Sequence, residues 1–138
     1  MRRDPATRHG FGRVLVLVYG IFALAAGARS GVQIATAWQR APLAYALSGV
    51  AAVVYITATL ALATGRRALA WIACSVELVG VLAVGTLSVA DPTAFPDATV
   101  WSDFGIGYVF IPLVLPVVGL GWLRHTGRTA DLVGPPAA

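Results

Sequence analysis

This chain contains no lysine and no asparagine, and charged side chains make up only 12% of it. A soluble domain carries about twice that charge, so an ordinary water-exposed globule is excluded. Cysteine is nearly absent too. Cys74 stands alone, which rules out an intramolecular disulfide, and its apolar neighbours mark it as a small buried hydrophobe. His9 and His125 sit in separate charged flanks without a cysteine or acid cluster, so neither a metal site nor a cofactor is expected. The chain also lacks a phosphate-binding glycine loop, G-x-S-x-G, H-E-x-x-H and any polar nucleophile–base pair. An enzyme is therefore disfavoured, with a lipid-modifying activity through Glu77 or the aspartates of residues 90–103 as the one catalytic reading left open.

What the chain does have is apolar length. Hydrophobic residues make up 58% of it and the mean hydropathy is +0.79. The central stretch is 69–89, LAWIACSVELVGVLAVGTLSV, with Glu77 as its one charged residue. At 1.5 Å per residue it covers about 31 Å, the thickness of a bilayer's hydrocarbon core. The 138 residues leave room for three or four such spans with short connections. The net charge of +4 resembles a nucleic-acid signal only until the arginines are placed beside the apolar runs, so the expected partner is the lipid bilayer and not nucleic acid.

Taken in order, residues 1–12 form an Arg-rich tail, 13–123 a transmembrane domain and 124–138 a second tail. The spans are expected at 13–38, 43–63, 69–89 and 104–123. The first apolar run, 14–28, covers only about 22 Å before Arg29. Either the helix continues through Arg29 and Gln33 to Trp38, or Ala26-Gly27-Ala28 ends a cleaved secretory signal. Pro42 suits the first turn of the second span. Ser48, Ala52, Tyr55 and Thr59 share one face of that span, fit to pack on other helices, although each hydroxyl has its own i−4 carbonyl as a bland alternative partner. The connection 90–103 holds Asp91, Asp97 and Asp103 and no basic residue, with Ser102 or Asp103 as N-cap of the last span. Trp101 and Trp122 bracket that span as interfacial anchors. Within it Pro112 and Pro116 deprive Tyr108 and Pro112 of carbonyl partners and predict a kink. Together with Gly105 and Gly107 they admit a hinge or an unwound site, against the commoner reading of a kinked helix packed through small residues.

Orientation follows from arginine. Arg2, Arg3, Arg8, Arg13, Arg66, Arg67, Arg124 and Arg128 fall on one side, and Arg29 and Arg40 on the other. The positive-inside rule places both termini in the cytoplasm. The expected architecture is thus an all-α membrane protein of the plasma membrane, a compact bundle of four helices, N-in and C-in. Gly20-Ile-Phe-Ala-Leu echoes Gly80-Val-Leu-Ala-Val, and Trp38/Tyr45 echoes Trp101/Tyr108, which suggests two parallel helical-hairpin repeats. Gly27 and Gly31 form a G-x-x-x-G pair for tight packing inside the bundle or in a homodimer.

Glu77 leads the intramembrane polar candidates, followed by Arg29, Gln33, Tyr55 and Thr59. Counted from the inner arginines, Glu77 lies roughly 15 Å deep and Arg29 roughly 24 Å, and Arg29 leans back toward Glu77. The functional reading makes Glu77 a proton or cation site. The structural alternative neutralises it by protonation, by Arg29 or by a hydroxyl of the second span, and has the stronger prior; Arg29 can also snorkel to headgroups without a partner.

The segments ARSGVQ, APLAYALSGVAAVVY, ELVGVLAVGTLS and FPDATVWSDFGIGYVFIPLVLPVVGLGWLR resemble a group of small actinobacterial integral membrane proteins without assigned activity. The likeness covers most of the chain between the tails and implies a membrane location but no mechanism. The four-helix small multidrug transporters are similar in length and span count but keep their essential Glu in the first span, where this chain has only apolar residues and Arg29. Two function classes remain: a non-catalytic accessory or scaffold subunit of a membrane complex, slightly favoured, and a small homo-oligomeric transporter or channel using Glu77.

Overall fold

In the computed structural model, which describes the backbone of residues 5–133 and the side chains of 10–127, the described residues are helical and contain no strand. Four long helices follow one another: α1 (Pro5–Ala37), α2 (Pro42–Ala63), α3 (Arg67–Ala90) and α4 (Ile111–Val133). Short 3-10 segments stand between them at Trp38–Arg40, Pro92–Ala94 and Ser102–Tyr108. Helices α1, α2 and α3 are long and apolar enough to cross a membrane. The Ser102–Tyr108 segment and α4 pass the same test only as a pair, bent by 98°.

Local chemistry explains the ends. Pro42 opens α2, where its missing N–H costs nothing. Gly65, at φ 71°, closes the same helix, with the Arg66 N–H returning to the Ala61 carbonyl at 2.9 Å in a Schellman turn. Helix α1 runs without a break through Arg29, and α1 and α4 extend into the segments expected as tails. Arg2 and Arg3 lie outside the described residues, as do the side chains of Arg8, His9 and Arg128.

Each helix packs on the next, and α3 also carries both the Ser102–Tyr108 segment and α4. The buried face of α3 reads Ala70, Ala73, Cys74, Glu77, Val81, Val84, Gly85 and Ser88, at spacings of three and four. That of α2 is mostly alanine, with Tyr45, Ser48 and Tyr55. The large apolar side chains point the other way: Leu24 is 77% exposed and Val79 66%. The mostly small residues on the inner faces of α2 and α3, interrupted by Tyr45 and Tyr55, suit a lipid solvent, where close packing rather than apolar burial draws helices together. This is a multi-pass membrane protein.

The region expected as one kinked span is built differently. The break falls at Val109 and Phe110, both left-handed at φ 57° and 59°, before Pro112 rather than between the prolines. Pro112 thereby enters the first turn of α4, where it needs no donor, while Pro116 remains inside the helix. Asp103, Phe104 and Gly105 make a second left-handed turn. Neither Ser102 nor Asp103 caps a helix: the Ser102 hydroxyl accepts from the Thr99 N–H, and Ser88 accepts from the Asp103 N–H. Trp101 is no interfacial anchor either. It is 3% exposed, inside the bundle, whereas Trp38 is 45% exposed, so the two Trp–Tyr pairs of the suggested repeat occupy unlike places.

Candidate functional site

Four elements meet around Glu77. Helix α3 brings Cys74 and Glu77 to one face at a spacing of three, α1 brings Tyr19, α2 brings Tyr55, and the connection before α4 brings Trp101. Glu77 has no exposed surface. The Tyr19 hydroxyl donates to its Oε2 at 2.7 Å and also lies 3.4 Å from Cys74 Sγ. Glu77 Oε1 has no hydrogen-bond partner among the described residues, although it too is buried. A buried carboxylate oxygen left without a donor is costly, so one hydrogen bond leaves this site half satisfied.

The layer beyond is aromatic. The Trp101 indole N–H donates to the Tyr55 hydroxyl at 3.1 Å. Tyr55 packs its ring 6.3 Å from that of Tyr19 and 5.7 Å from that of Phe22, and Phe22 lies 5.6 Å from Tyr108. Two glycines of α3 make room for this layer. A Cβ on Gly80 would stand 2.6 Å from the Trp101 ring, and one on Gly85 would collide with Phe104. From the other direction α4 lays Gly119 against the cluster, close enough that a Cβ there would meet Cys74 Sγ at 3.1 Å and the Tyr19 hydroxyl at 3.3 Å.

Arg29 is not part of the cluster. Its guanidinium donates to the Tyr108 hydroxyl at 3.0 Å and to the Ala98 carbonyl at 3.4 Å, tying α1 to the chain on either side of Trp101. The donor that reaches Glu77 is the Tyr19 hydroxyl of the first helix, neither the Arg29 guanidinium nor a hydroxyl of the second helix. Thr59 bonds back to the Tyr55 carbonyl in its own helix, and Gln33, well beyond Tyr19 along α1, keeps a buried Oε1 without a partner among the described residues. Gly105 packs on the Pro112 ring at φ 85°, while Gly107 has open space around its Cα. No group of three or more His, Cys, Asp or Glu side chains able to hold a metal occurs among the described residues.

No family model, curated protein or solved structure matches this chain. The site therefore has to be read from its own chemistry.

Sequence reasoning missed Tyr19 and Trp101, although a signal existed for each. A tyrosine in the middle of an apolar span must find a partner for its hydroxyl, and counted from Arg13 Tyr19 sits roughly 9 Å deep. Its position in sequence points Trp101 to the interface, but its indole N–H is equally a donor that a buried acceptor recruits.

At the Trp38 end of the bundle Tyr45 donates to Asp97 Oδ2 at 2.5 Å, and Arg40 stands 3.6 Å from the same oxygen. At the Gly65 end Arg67 donates to Thr126 Oγ1 at 2.7 Å and to the Leu123 carbonyl. Both sets fasten helix ends.

Proposed function

We propose that this chain is a small, homo-oligomeric transporter or channel of the cell membrane, with both termini in the cytoplasm and Glu77 as its proton or cation site. The observation that carries this reading is the buried, unpartnered Oε1 of Glu77. An acid at membrane depth costs roughly 2.5–3.5 kcal/mol on insertion scales, and such residues mark ion and proton pathways. The structural alternative has three neutralising routes: protonation, Arg29 or a hydroxyl of the second span. Arg29 is engaged with Tyr108 and Ala98 instead, and the one hydroxyl that reaches Glu77 among the described residues is that of Tyr19 in α1. The broken last span supports the same reading, because interrupted helices gather at the binding sites of transporters. Arg13, Arg66, Arg67 and Arg124, set against Arg29 and Arg40, support the orientation.

The test is ion flux in proteoliposomes of the purified protein, driven by a proton or a sodium gradient. Wild type should dissipate one of the gradients and Glu77→Gln should not. Equal flux from both proteins overturns the assignment.

An accessory or scaffold role is the second reading, favoured by a different surface. Gly27 and Gly31 face open space, and α1 and α2 frame an apolar groove of about 480 Å³ lined by Leu17, Gly20, Leu24, Ile56 and Leu60. Small residues beside a groove are what a partner's transmembrane helix packs against.

A further inference from the structure

The segment 99–102, Thr-Val-Trp-Ser, enters the bundle as irregular backbone, and all four residues are buried, at 5%, 1%, 3% and 6% exposure. Backbone of this kind survives at membrane depth only where its polar groups are satisfied within protein. Here the segment largely satisfies itself. The Thr99 N–H donates to Ser102 Oγ at 2.8 Å, the Trp101 N–H to Thr99 Oγ1 at 3.1 Å and the Ser102 N–H to the Thr99 carbonyl at 3.3 Å. Among the described residues the ties from this stretch and its neighbours to the helices are side-chain ones: Arg29 of α1 donates to the Ala98 carbonyl just before it. Trp101 donates its indole N–H to Tyr55, and the next residue, Asp103, donates its N–H to Ser88 Oγ. A unit that bonds the N–H groups of Thr99, Trp101 and Ser102 within itself keeps those bonds if it withdraws.

Its tip lies over the acid. Gly80 follows Glu77 by three residues, about 4.5 Å along α3 toward the Trp38 end. Trp101 covers Gly80, where a side chain would collide with it, and bonds to Tyr55, whose ring packs on the Tyr19 that holds Glu77. Toward the Gly65 end the cluster is closed by Gly119, within the continuous helix α4.

We infer that residues 99–102 form a plug, with Trp101 at its tip, that controls access to Glu77 from the Trp38 end, and that the ion exchanged there is a proton. This rests on Glu77 as an ion site. The donors narrow the ligand class. The groups gathered at Glu77 are Tyr19 from α1, Tyr55 from α2 and Cys74 from α3, with Gly119 from α4 adding none. Hard divalent cations take six or more oxygen ligands, and these side chains supply fewer; a proton needs one. Exchange adds a proton from water to the carboxylate or returns it, with no other bond made or broken.

Cys74, the only thiol, reports the opening, because it lies beside the Tyr19 hydroxyl that donates to Glu77. A membrane-impermeant methanethiosulfonate cation is applied to one face at a time of oriented vesicles holding the full chain. Wild type should react slowly from both faces. Trp101→Ala, which empties the space above Gly80, should react on the order of a hundredfold faster from the Trp38 face alone. Tyr55→Phe, which removes only the indole's acceptor, should react up to about tenfold faster from that face. If Trp101→Ala does not yield a monodisperse protein, Tyr55→Phe decides. Unchanged rates in the folded variants, or equal acceleration from both faces, overturn the plug. Flux driven by sodium at uniform pH overturns the proton. Loss of the ion-site reading shows separately, as undiminished flux in Glu77→Gln.

Discussion

Glu77 and Tyr19 form a one-donor pair, and that stoichiometry sets what substitutions do. Tyr19 gives Glu77 its only described hydrogen bond, so Tyr19→Phe strands a buried carboxyl and should lower stability by about 1–3 kcal/mol. Unfolding in mixed micelles measures it. Arg29, by contrast, binds Tyr108 and the Ala98 carbonyl, with no contact to the acid. Exchanging the charges, Glu77→Arg together with Arg29→Glu, should therefore recover nothing beyond the sum of the single changes. A coupling above about 0.5 kcal/mol in that double-mutant cycle would restore the ion pair. The presence of the acid is plain in the sequence; its partner is not. Depth counting ranks Arg29 as reachable, but a guanidinium on a long stem swings to whichever acceptors the neighbouring loop presents.

The break between the Ser102–Tyr108 segment and α4 holds two of the four described non-glycine residues with positive φ. A left-handed residue other than glycine costs roughly 1–2 kcal/mol, and Val109 and Phe110 are both left-handed. Packing offsets that cost nearby: Phe104 fits over Gly85, and Gly105 packs on the Pro112 ring. Val109 is 81% exposed and holds little in place. Val109→Gly should thus stabilise the fold by about 1 kcal/mol, read as a higher midpoint in thermal unfolding in detergent. A lower midpoint would mean that the valine makes contacts in the membrane beyond those of the single chain. The sequence announces an irregularity here through its prolines and glycines. It cannot place the bend, because Pro112 serves equally well inside a kinked helix and in the first turn of a new one.

Seen as one body, the bundle spends its small residues inward at α2 and α3 but leaves Gly27 and Gly31 of α1 uncovered. Among the described residues a Cβ at either position would meet nothing within 4 Å, so Gly27→Leu with Gly31→Leu should leave the monomer folded. If that face seats a partner helix, native mass spectrometry of the protein drawn gently from its membrane should show a complex of fixed ratio that the double variant loses. An unaltered mass distribution would remove this face from any interface. Composition alone determined that the chain lives in a bilayer: long apolar runs with so little charge have no stable alternative in water. Helix α2 and its proline start were legible for the same reason, since a run that must satisfy its own backbone in lipid becomes a helix wherever proline and glycine permit. What only the tertiary structure decided is which polar groups meet. Tyr19, Trp101 and Arg29 each carry donors that would serve several acceptors, and their pairing depends on helix rotation and on the course of residues 99–110. In a chain built largely of interchangeable apolar residues, the order of the sequence constrains those two things weakly.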